Sequence, residues 1–287
     1  MTESEAAPGA AAERSSRNLL MRVAAALALA PAAITIAWAG GWFWTGLVTL
    51  AAVGLYIEWL MIIGVVQQMR IAAAGVVALV IAALCLAFGR LDISLAVLAL
   101  GLAGVVLLST EWRGWAAAGF CYAAAAEVAS LLVRLDATAG FAALILVLLI
   151  VWVSDIGGYF AGRGIGGPKL WPRVSPKKTW AGAIGGFVAS LAVAAGFASF
   201  CKIDPFALRM GQVLLLGAAL SIASQLGDLF ESAVKRRFGV KDSSQIIPGH
   251  GGLLDRLDGF VAAIVLAALI GVLRRGADGA GLGLMIW

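Results

Sequence analysis

Residues 23–57 read VAAALALAPAAITIAWAGGWFWTGLVTLAAVGLYI, a run of 35 residues without an acidic, basic or histidine side chain. As one α-helix this run is about 52 Å long, well beyond the ~30 Å hydrocarbon core of a bilayer. A break must therefore divide it, and the adjacent glycines Gly40 and Gly41 predict where that break lies. The run predicts two membrane-spanning helices joined by a tight turn.

The rest of the chain is equally apolar. Of its 287 residues 62% are hydrophobic and 13% are charged, whereas soluble domains carry roughly 25% charged residues. A soluble globule and a disordered chain are therefore excluded, and an all-α, polytopic integral membrane protein is predicted. Its nine spans are expected near residues 19–39, 42–66, 71–88, 93–109, 115–133, 138–161, 179–201, 210–230 and 257–273.

The distribution of polar residues divides the chain into regions. Residues 1–18 are predicted to be a disordered tail, residues 19–136 hold five spans, and residues 137–287 hold four spans and the polar motifs. An N-terminus in the cytoplasm places 15 of the 21 Lys and Arg residues on the cytoplasmic side. Two long polar connections, 162–178 and 231–256, then face the cytoplasm together.

The first connection combines an acid with a basic helix start. Asp155 ends an uncharged run of 18 residues, and an acid inside a span usually faces a polar cavity. Four residues lead into the seventh span, where helix N-terminal amides favour an anion: Ser175, Lys177, Lys178 and Thr179. They predict a phosphate-binding cradle. The alternative is a set of positive anchors beside the membrane, flanked by interfacial tryptophans.

The second connection is rich in carboxylates. Asp228 and Glu231 are three residues apart, as are Asp255 and Asp258, so each pair shares one face if the stretch is helical. Carboxylates at the ends of facing spans suit Mg²⁺, which usually also binds substrate phosphates. The alternative is salt bridges to neighbouring basic residues, although that does not explain the Pro-Gly-His-Gly-Gly stretch at 248–252.

The sequence leaves alternative roles for three further ionisable residues. His250 is the single histidine, and it either transfers a proton or contacts a phosphate; no partner residues for zinc lie nearby. Glu58 and Glu127 lie inside anterior spans and either pair with another helix or line a cavity.

These motifs carry a family resemblance. Residues 232–258, SAVKRRFGVKDSSQIIPGHGGLLDRLD, resemble the signature of the phosphatidate cytidylyltransferases (CDP-diacylglycerol synthases) at every defined position. Residues 225–232 (QLGDLFES), 175–180 (SPKKTW) and 155–163 (DIGGYFAGR) resemble the same family. One departure is Ala181, where the family usually carries Glu.

The resemblance implies transfer of a cytidylyl group from CTP to phosphatidate in a bacterial-type plasma membrane, with the active site facing the cytoplasm. It implies Mg²⁺ as cofactor and does not decide whether a second cation binds. It also suggests a homodimer and implies that the protein does not bind nucleic acid. The implied catalytic residues are Asp228, Asp255, Asp258 and Lys241, and the implied metal ligands are Asp228, Asp255 and Asp155. The implied substrate-binding residues are Ser175, Lys177, Lys178, Thr179, Lys235, Arg236, Asp242, His250, Gly251, Gly252 and Arg256.

Two other functions are weighed beside it. A transporter of an anionic substrate could use the same basic mouth, but its polar residues are expected near the membrane midplane rather than at one face. A related CTP-dependent enzyme acting on another lipid, such as a polyprenol-type kinase or an archaeol-type cytidylyltransferase, could share the headgroup motifs.

Overall fold

The computed structural model of the chain describes residues 31–201, 209–244 and 251–286. Helix α1 runs through residues 31–39. It is followed by α2 (Gly41–Ile62), α3 (Met69–Ala87), α4 (Leu91–Leu108), α5 (Arg113–Leu135), α6 (Gly140–Gly164), α7 (Trp180–Phe200), α8 (Met210–Arg237), α9 (Leu254–Arg275) and the short α10 (Ala280–Met285). Two strands, β1 (Lys169–Trp171) and β2 (Ser175–Thr179), form an antiparallel hairpin between α6 and α7.

The eight helices α2 to α9 are long and apolar enough to cross a membrane. Because a bilayer core offers the backbone no water, apolar runs of this length satisfy their amides and carbonyls as helices. The predicted all-α membrane fold is confirmed, and these helices overlap the predicted spans from 42–66 onward. The span predicted at 19–39 coincides with α1 where the chain is described, and its earlier part and the tail 1–18 lie outside the described residues.

The long apolar run breaks where predicted. Gly40 lies between α1 and α2 with φ +65°, and Gly41 opens α2 with φ +49°. Both torsions lie in the left-handed region that glycine adopts without a steric penalty. The guanidinium of Arg134, at the end of α5, donates hydrogen bonds to the carbonyls of Ala37 and Trp38 and so satisfies the end of α1.

The structure reshapes both polar connections. Residues 231–237 continue α8, and α9 begins at Leu254, so the second connection is 238–253 rather than 231–256. Basic side chains in the last turn of α8 complement the negative end of the helix dipole, which favours this extension. The first connection contains the β1–β2 hairpin, and α10 is likewise an element that the sequence did not predict.

Small residues let the posterior helices approach closely. A Cβ atom at Gly186 on α7 would lie 2.5 Å from the backbone oxygen of Ser154 on α6, and one at Gly185 would lie 2.2 Å from the Cβ of Ala161. Close backbone packing through small residues is typical of membrane helices. The α6–α7 pair and the α8–α9 pair thereby bring the two polar connections to one end of the bundle.

Candidate active site

A cavity of about 590 Å³ opens between α6, the hairpin, α7 and α8. Its wall carries both signs of charge, with Asp155 and Asp228 beside Arg163, Lys177 and Lys178. The other lining residues are Ser154, Gly158, Tyr159, Gly162, Leu170, Thr179, Gly182, Ala183 and Gln225. The volume is typical of a small-molecule site, and the mixed charge suits a ligand that brings phosphate groups and a cation together.

The hairpin delivers the basic residues of this wall. Strand β2 carries Lys177 and Lys178 and ends at Thr179, whose hydroxyl oxygen accepts a hydrogen bond of 3.1 Å from the amide of Gly182. Thr179 is therefore the N-cap of α7, a position where Thr is strongly preferred. The cap fixes the start of α7 relative to the two lysines, so Thr179 has a structural role at the predicted anion site.

Three carboxylates gather beside the cavity. Lys178 forms an ion pair with Asp228, and the two side chains remain 27% and 31% exposed. The charge of Asp228 also acts as a like charge on Asp155 and Asp258, and the charge of Asp155 acts on Asp258 as well. Gly227 permits this approach, because a Cβ there would lie 2.5 Å from the backbone oxygen of Asp258 on α9.

The donor chemistry of this group fits a hard divalent cation. Within the described ranges, no three acidic, histidine or cysteine side chains stand close enough to coordinate one ion together. Mg²⁺ at nucleotide sites commonly uses one or two carboxylates and completes its shell with phosphates and water. Asp228 with Asp155 or Asp258 could therefore hold such an ion, and of the three basic residues on the wall it is Lys178 that forms an ion pair with Asp228.

Asp255 belongs to a second, more enclosed cluster. Lys235 Nζ lies 2.6 Å from Asp255 Oδ1 and 2.8 Å from Glu231 Oε1. The other oxygen of Asp255 accepts hydrogen bonds of 3.2 Å from the amides of Ser243 and Gly252. The side chains of Lys235, Glu231 and Asp255 are only 12%, 2% and 16% exposed. Each charge here therefore has an opposite charge or a backbone donor beside it.

Glu58 of α2 lies beneath that second cluster and is fully buried. Its carboxylate accepts hydrogen bonds from the hydroxyls of Ser243 and Ser244 at 2.8 and 2.6 Å. It also accepts bonds of 2.7 Å from the amides of Leu253 and Leu254, where α9 begins. The anterior half of the chain thus contributes a charged side chain directly beneath the second connection.

The remaining predicted residues lie around these two clusters. Ser175 is half-buried on β2, whereas Arg236, Lys241, Asp242 and Arg256 are exposed at or near the ends of connection 238–253. Gly251 has φ +82°, and Gly252 is buried with no room for a Cβ, which would lie 1.7 Å from Ser243 Oγ. His250 lies outside the described residues.

Sequence reasoning left three residues of this region without a role. Glu58 carried a usable signal, since an acid inside a span is a candidate functional residue, but its partners are some 185–196 positions away along the chain. Glu231 was paired with Asp228 by spacing, although Lys235 is its neighbour in space. Gln225 lines the cavity and donates a 3.2 Å hydrogen bond to the carbonyl of Ala183.

Comparison with known proteins agrees with this geometry. A model of the cytidylyltransferase family matches residues 20–273. A protein of Brucella suis biovar 1 (strain 1330) named phosphatidate cytidylyltransferase is 39% identical over 265 residues, which cover 91% of this chain and 96% of that protein. Proteins of the same name from Staphylococcus haemolyticus and Haemophilus influenzae are 49% and 48% identical over 122 and 127 residues, covering 42–46% of each sequence. The chain therefore belongs to the cytidylyltransferase family and is a nucleotidyltransferase built into a bundle of membrane-spanning helices.

Proposed function

We propose that the chain transfers the cytidylyl group of CTP to phosphatidate, forming CDP-diacylglycerol and pyrophosphate. The observation that carries this proposal is the cavity at the end of the helix bundle, where Asp155 and Asp228 share the wall with Arg163, Lys177 and Lys178. A lipid phosphate and a nucleotide triphosphate can meet there while the acyl chains stay in the bilayer. The names of the relatives supply the substrate pair.

The reaction needs little acid–base help. The phosphate of phosphatidate is largely dianionic near neutral pH, since the second pKa of a phosphomonoester is about 6. One of its oxygens attacks the α-phosphorus of CTP, a new P–O–P bond forms, and the bond to the β-phosphate breaks. Pyrophosphate leaves with the electron pair, so no proton transfer has to accompany the attack.

The main barrier is repulsion between two polyanions. Like unit charges 4 Å apart repel by about 1 kcal/mol in water and by about 4 kcal/mol at the effective dielectric of a protein surface. Lys177, Lys178 and Arg163 reduce this repulsion by lying beside the phosphates, and in-line geometry then supplies much of the rate. We assign the ammonium of Lys178 to a contact shared between Asp228 and the incoming phosphate.

Mg²⁺ is part of this proposal. When bound, it supplies further charge neutralisation at the triphosphate. Asp228 is its first proposed ligand, with Asp155 or Asp258 beside it; Asp255, which the resemblance implied as a ligand, is engaged by Lys235 and two backbone amides. The carboxylates of this chain orient the ion and its phosphates against the lysines of β2.

The decisive experiment is turnover by the purified protein in detergent with labelled CTP, phosphatidate and Mg²⁺. A labelled CDP-lipid and a stoichiometric amount of pyrophosphate are expected. Transfer of the γ-phosphate to a lipid alcohol, or acceptance of an archaeol-type phosphate in preference to phosphatidate, would replace the proposal by one of the related activities. Absence of any CTP-dependent lipid product in metal-replete buffer would refute it.

The cytoplasmic orientation of the cavity and the homodimer are also proposals. Arg173 lies exposed in the hairpin turn between β1 and β2, so it offers a probe position outside the cavity wall. In a chain without its native cysteines, Arg173→Cys should react with an impermeant thiol reagent only from the cytoplasmic side. Labelling from the opposite side would invert the topology, and a monomeric mass in detergent would exclude the dimer.

A further inference from the structure

We infer that Glu58, on helix α2, is a positioning residue of the cytidylyl-transfer site, because it ties residues 243–244 and the start of α9 to the anterior helices. The inference rests on the proposed function. The family motifs all lie beyond residue 150, so they do not assign a role to this acid. The assignment comes from its burial and from what it touches.

The first step is the set of donors. The two serine hydroxyls reach Glu58 from one end of the connection, and the amides of Leu253 and Leu254 reach it from the other end. One carboxylate therefore joins residues 243–244 to residues 253–254, next to the buried Gly252. A buried carboxylate that accepts several hydrogen bonds holds its partners strongly, because hydrogen bonds to a charged group are stronger than those between neutral groups.

The second step is the link to the charged cluster above. Ser243 donates its hydroxyl to Glu58 and its amide to Asp255. Gly252 donates its amide to Asp255, and a Cβ at that position would lie 2.6 Å from Glu58 Oε2. Glu58 and Asp255 thus both bind Ser243, and both lie close to Gly252, so a shift of Glu58 would move residues that Asp255 also binds.

The third step is the rigidity of the base. One turn before Glu58, a Cβ at Gly54 would lie 2.7 Å from the side chain of Leu253, so α2 provides a fitted seat for the start of α9. The neighbouring Trp59 stacks on Phe230 of α8 with ring centroids 6.1 Å apart and donates a 2.9 Å hydrogen bond to the carbonyl of Trp115 on α5. A carboxylate on a helix anchored in this way can hold Ser243, Ser244 and the start of α9 in one geometry.

Glu58→Gln tests the inference. The amide keeps the shape but has one acceptor oxygen in place of two, so it cannot accept from all four donors. Glu127→Gln is the matched control, because Glu127 is an equally buried acid of the anterior half, on α5, and none of its described contacts reaches connection 238–253. Two readouts are taken for each variant: hydrogen exchange of the Leu253 and Leu254 amides, and kcat and KM for both substrates.

Glu58→Gln should speed exchange at these two amides and lower kcat by about tenfold or more, as loss of a supporting residue does, while KM changes less. Glu127→Gln should leave both readouts within about twofold of the parent protein, which is the scatter expected of a substitution remote from the site. The double variant Ser243→Ala, Ser244→Ala should reproduce part of the kcat loss, because it removes two of the four donors.

Two results would overturn the assignment. Faster exchange with unchanged kcat would make Glu58 a structural residue only, and lost turnover with unchanged exchange would show that it does not act through this connection. Failure of the proposed function gives a different result, because the parent protein would then make no CDP-lipid while the exchange difference between Glu58→Gln and Glu127→Gln would still appear.

Discussion

The two charged clusters at the end of the bundle use the same residue types but differ in enclosure. In the first, Lys178 and Asp228 remain about 30% exposed beside a cavity. In the second, Lys235, Glu231 and Asp255 are between 2% and 16% exposed. In the first, which we call the open cluster, Asp258 experiences the like charges of two neighbouring carboxylates. In the second, which we call the closed cluster, backbone amides donate the remaining hydrogen bonds to Asp255.

This difference in exposure indicates that the two clusters have different roles, although the sequence motif contains the residues of both. A partly exposed cluster can change partners when a ligand binds. Breaking the Lys178–Asp228 ion pair there costs little free energy, because water screens it, so Lys178 can move to a phosphate. A closed cluster holds its partners, since removing one leaves the other buried and uncompensated. We therefore expect the open cluster to bind and react and the closed cluster to hold the connection in place, and the two respond differently to perturbation.

Removal of divalent cations is expected to have the largest effect. Turnover should fall below detection in EDTA and return on addition of Mg²⁺, because the carboxylates of the open cluster and the substrate phosphates then lack their shared counter-charge. The closed cluster needs no such ion, so the melting temperature of the substrate-free protein should change little. Full turnover in metal-free buffer would remove Mg²⁺ from the mechanism.

Asp228→Asn should lower kcat by roughly 10²–10³-fold, the range for loss of one electrostatic group at a reaction centre. It should leave the melting temperature near that of the parent, since Asp228 is about a third exposed and a partly exposed ion pair such as that with Lys178 contributes little to stability. Asp92→Asn is the matched control, because Asp92, in the first turn of α4, forms an exposed ion pair with Arg90. Near-normal turnover of Asp228→Asn would remove this residue from the site.

Asp255→Asn should reduce both turnover and stability. Asparagine keeps one acceptor oxygen but loses the charge that faces Lys235, and a buried donor left without its partner costs about 1–3 kcal/mol. We expect a clear drop in melting temperature and a loss of turnover smaller than that of Asp228→Asn. An unchanged melting temperature with abolished turnover would instead place Asp255 among the metal ligands, as the resemblance implied.

The sequence was sufficient for the fold because the bilayer restricts the backbone to few solutions. The apolar runs predicted the ends of α2 to α9 to within four residues, except that α8 continues seven residues further, and the Gly40–Gly41 pair predicted the break between α1 and α2. The sequence did not predict helix ends that polar contacts between distant residues determine. The start of α9 at Leu254 depends on Glu58, which lies 196 positions earlier and satisfies the amide that begins the helix.

The sequence also gave the composition of the site but not its division into clusters. Spacing placed Asp228 with Glu231, and Asp255 with Asp258, on shared helix faces. In the structure Glu231 pairs with Lys235 one turn later on α8, as the salt-bridge alternative expected, while two pairs join different elements: Lys178 of β2 with Asp228 of α8, and Lys235 of α8 with Asp255 of α9. Such pairing depends on how α8 and α9 are rotated against each other, and one-dimensional spacing carries no information about that rotation.

Ala181→Glu is expected to have the smallest effect on activity. It tests whether the binding site around the open cluster extends to residue 181. The substitution restores the residue common in the resembling family at the second position of α7. Ala181 does not belong to the described cavity lining, whereas its neighbours Gly182 and Ala183 do. An acid in the first turn of a helix gains about 0.3–1 kcal/mol from the helix dipole, so the added charge should be accommodated without loss of stability.

We therefore expect kcat and the KM for CTP to change by less than about threefold, since a screened surface charge acts weakly beyond its nearest neighbours. The matched variant is Ala183→Glu, which places the same carboxylate inside the cavity wall, where it should raise the KM for CTP strongly by repelling the triphosphate. If Ala181→Glu also raised the KM for CTP tenfold or more, residue 181 would belong to the CTP-binding site and the prediction would be wrong.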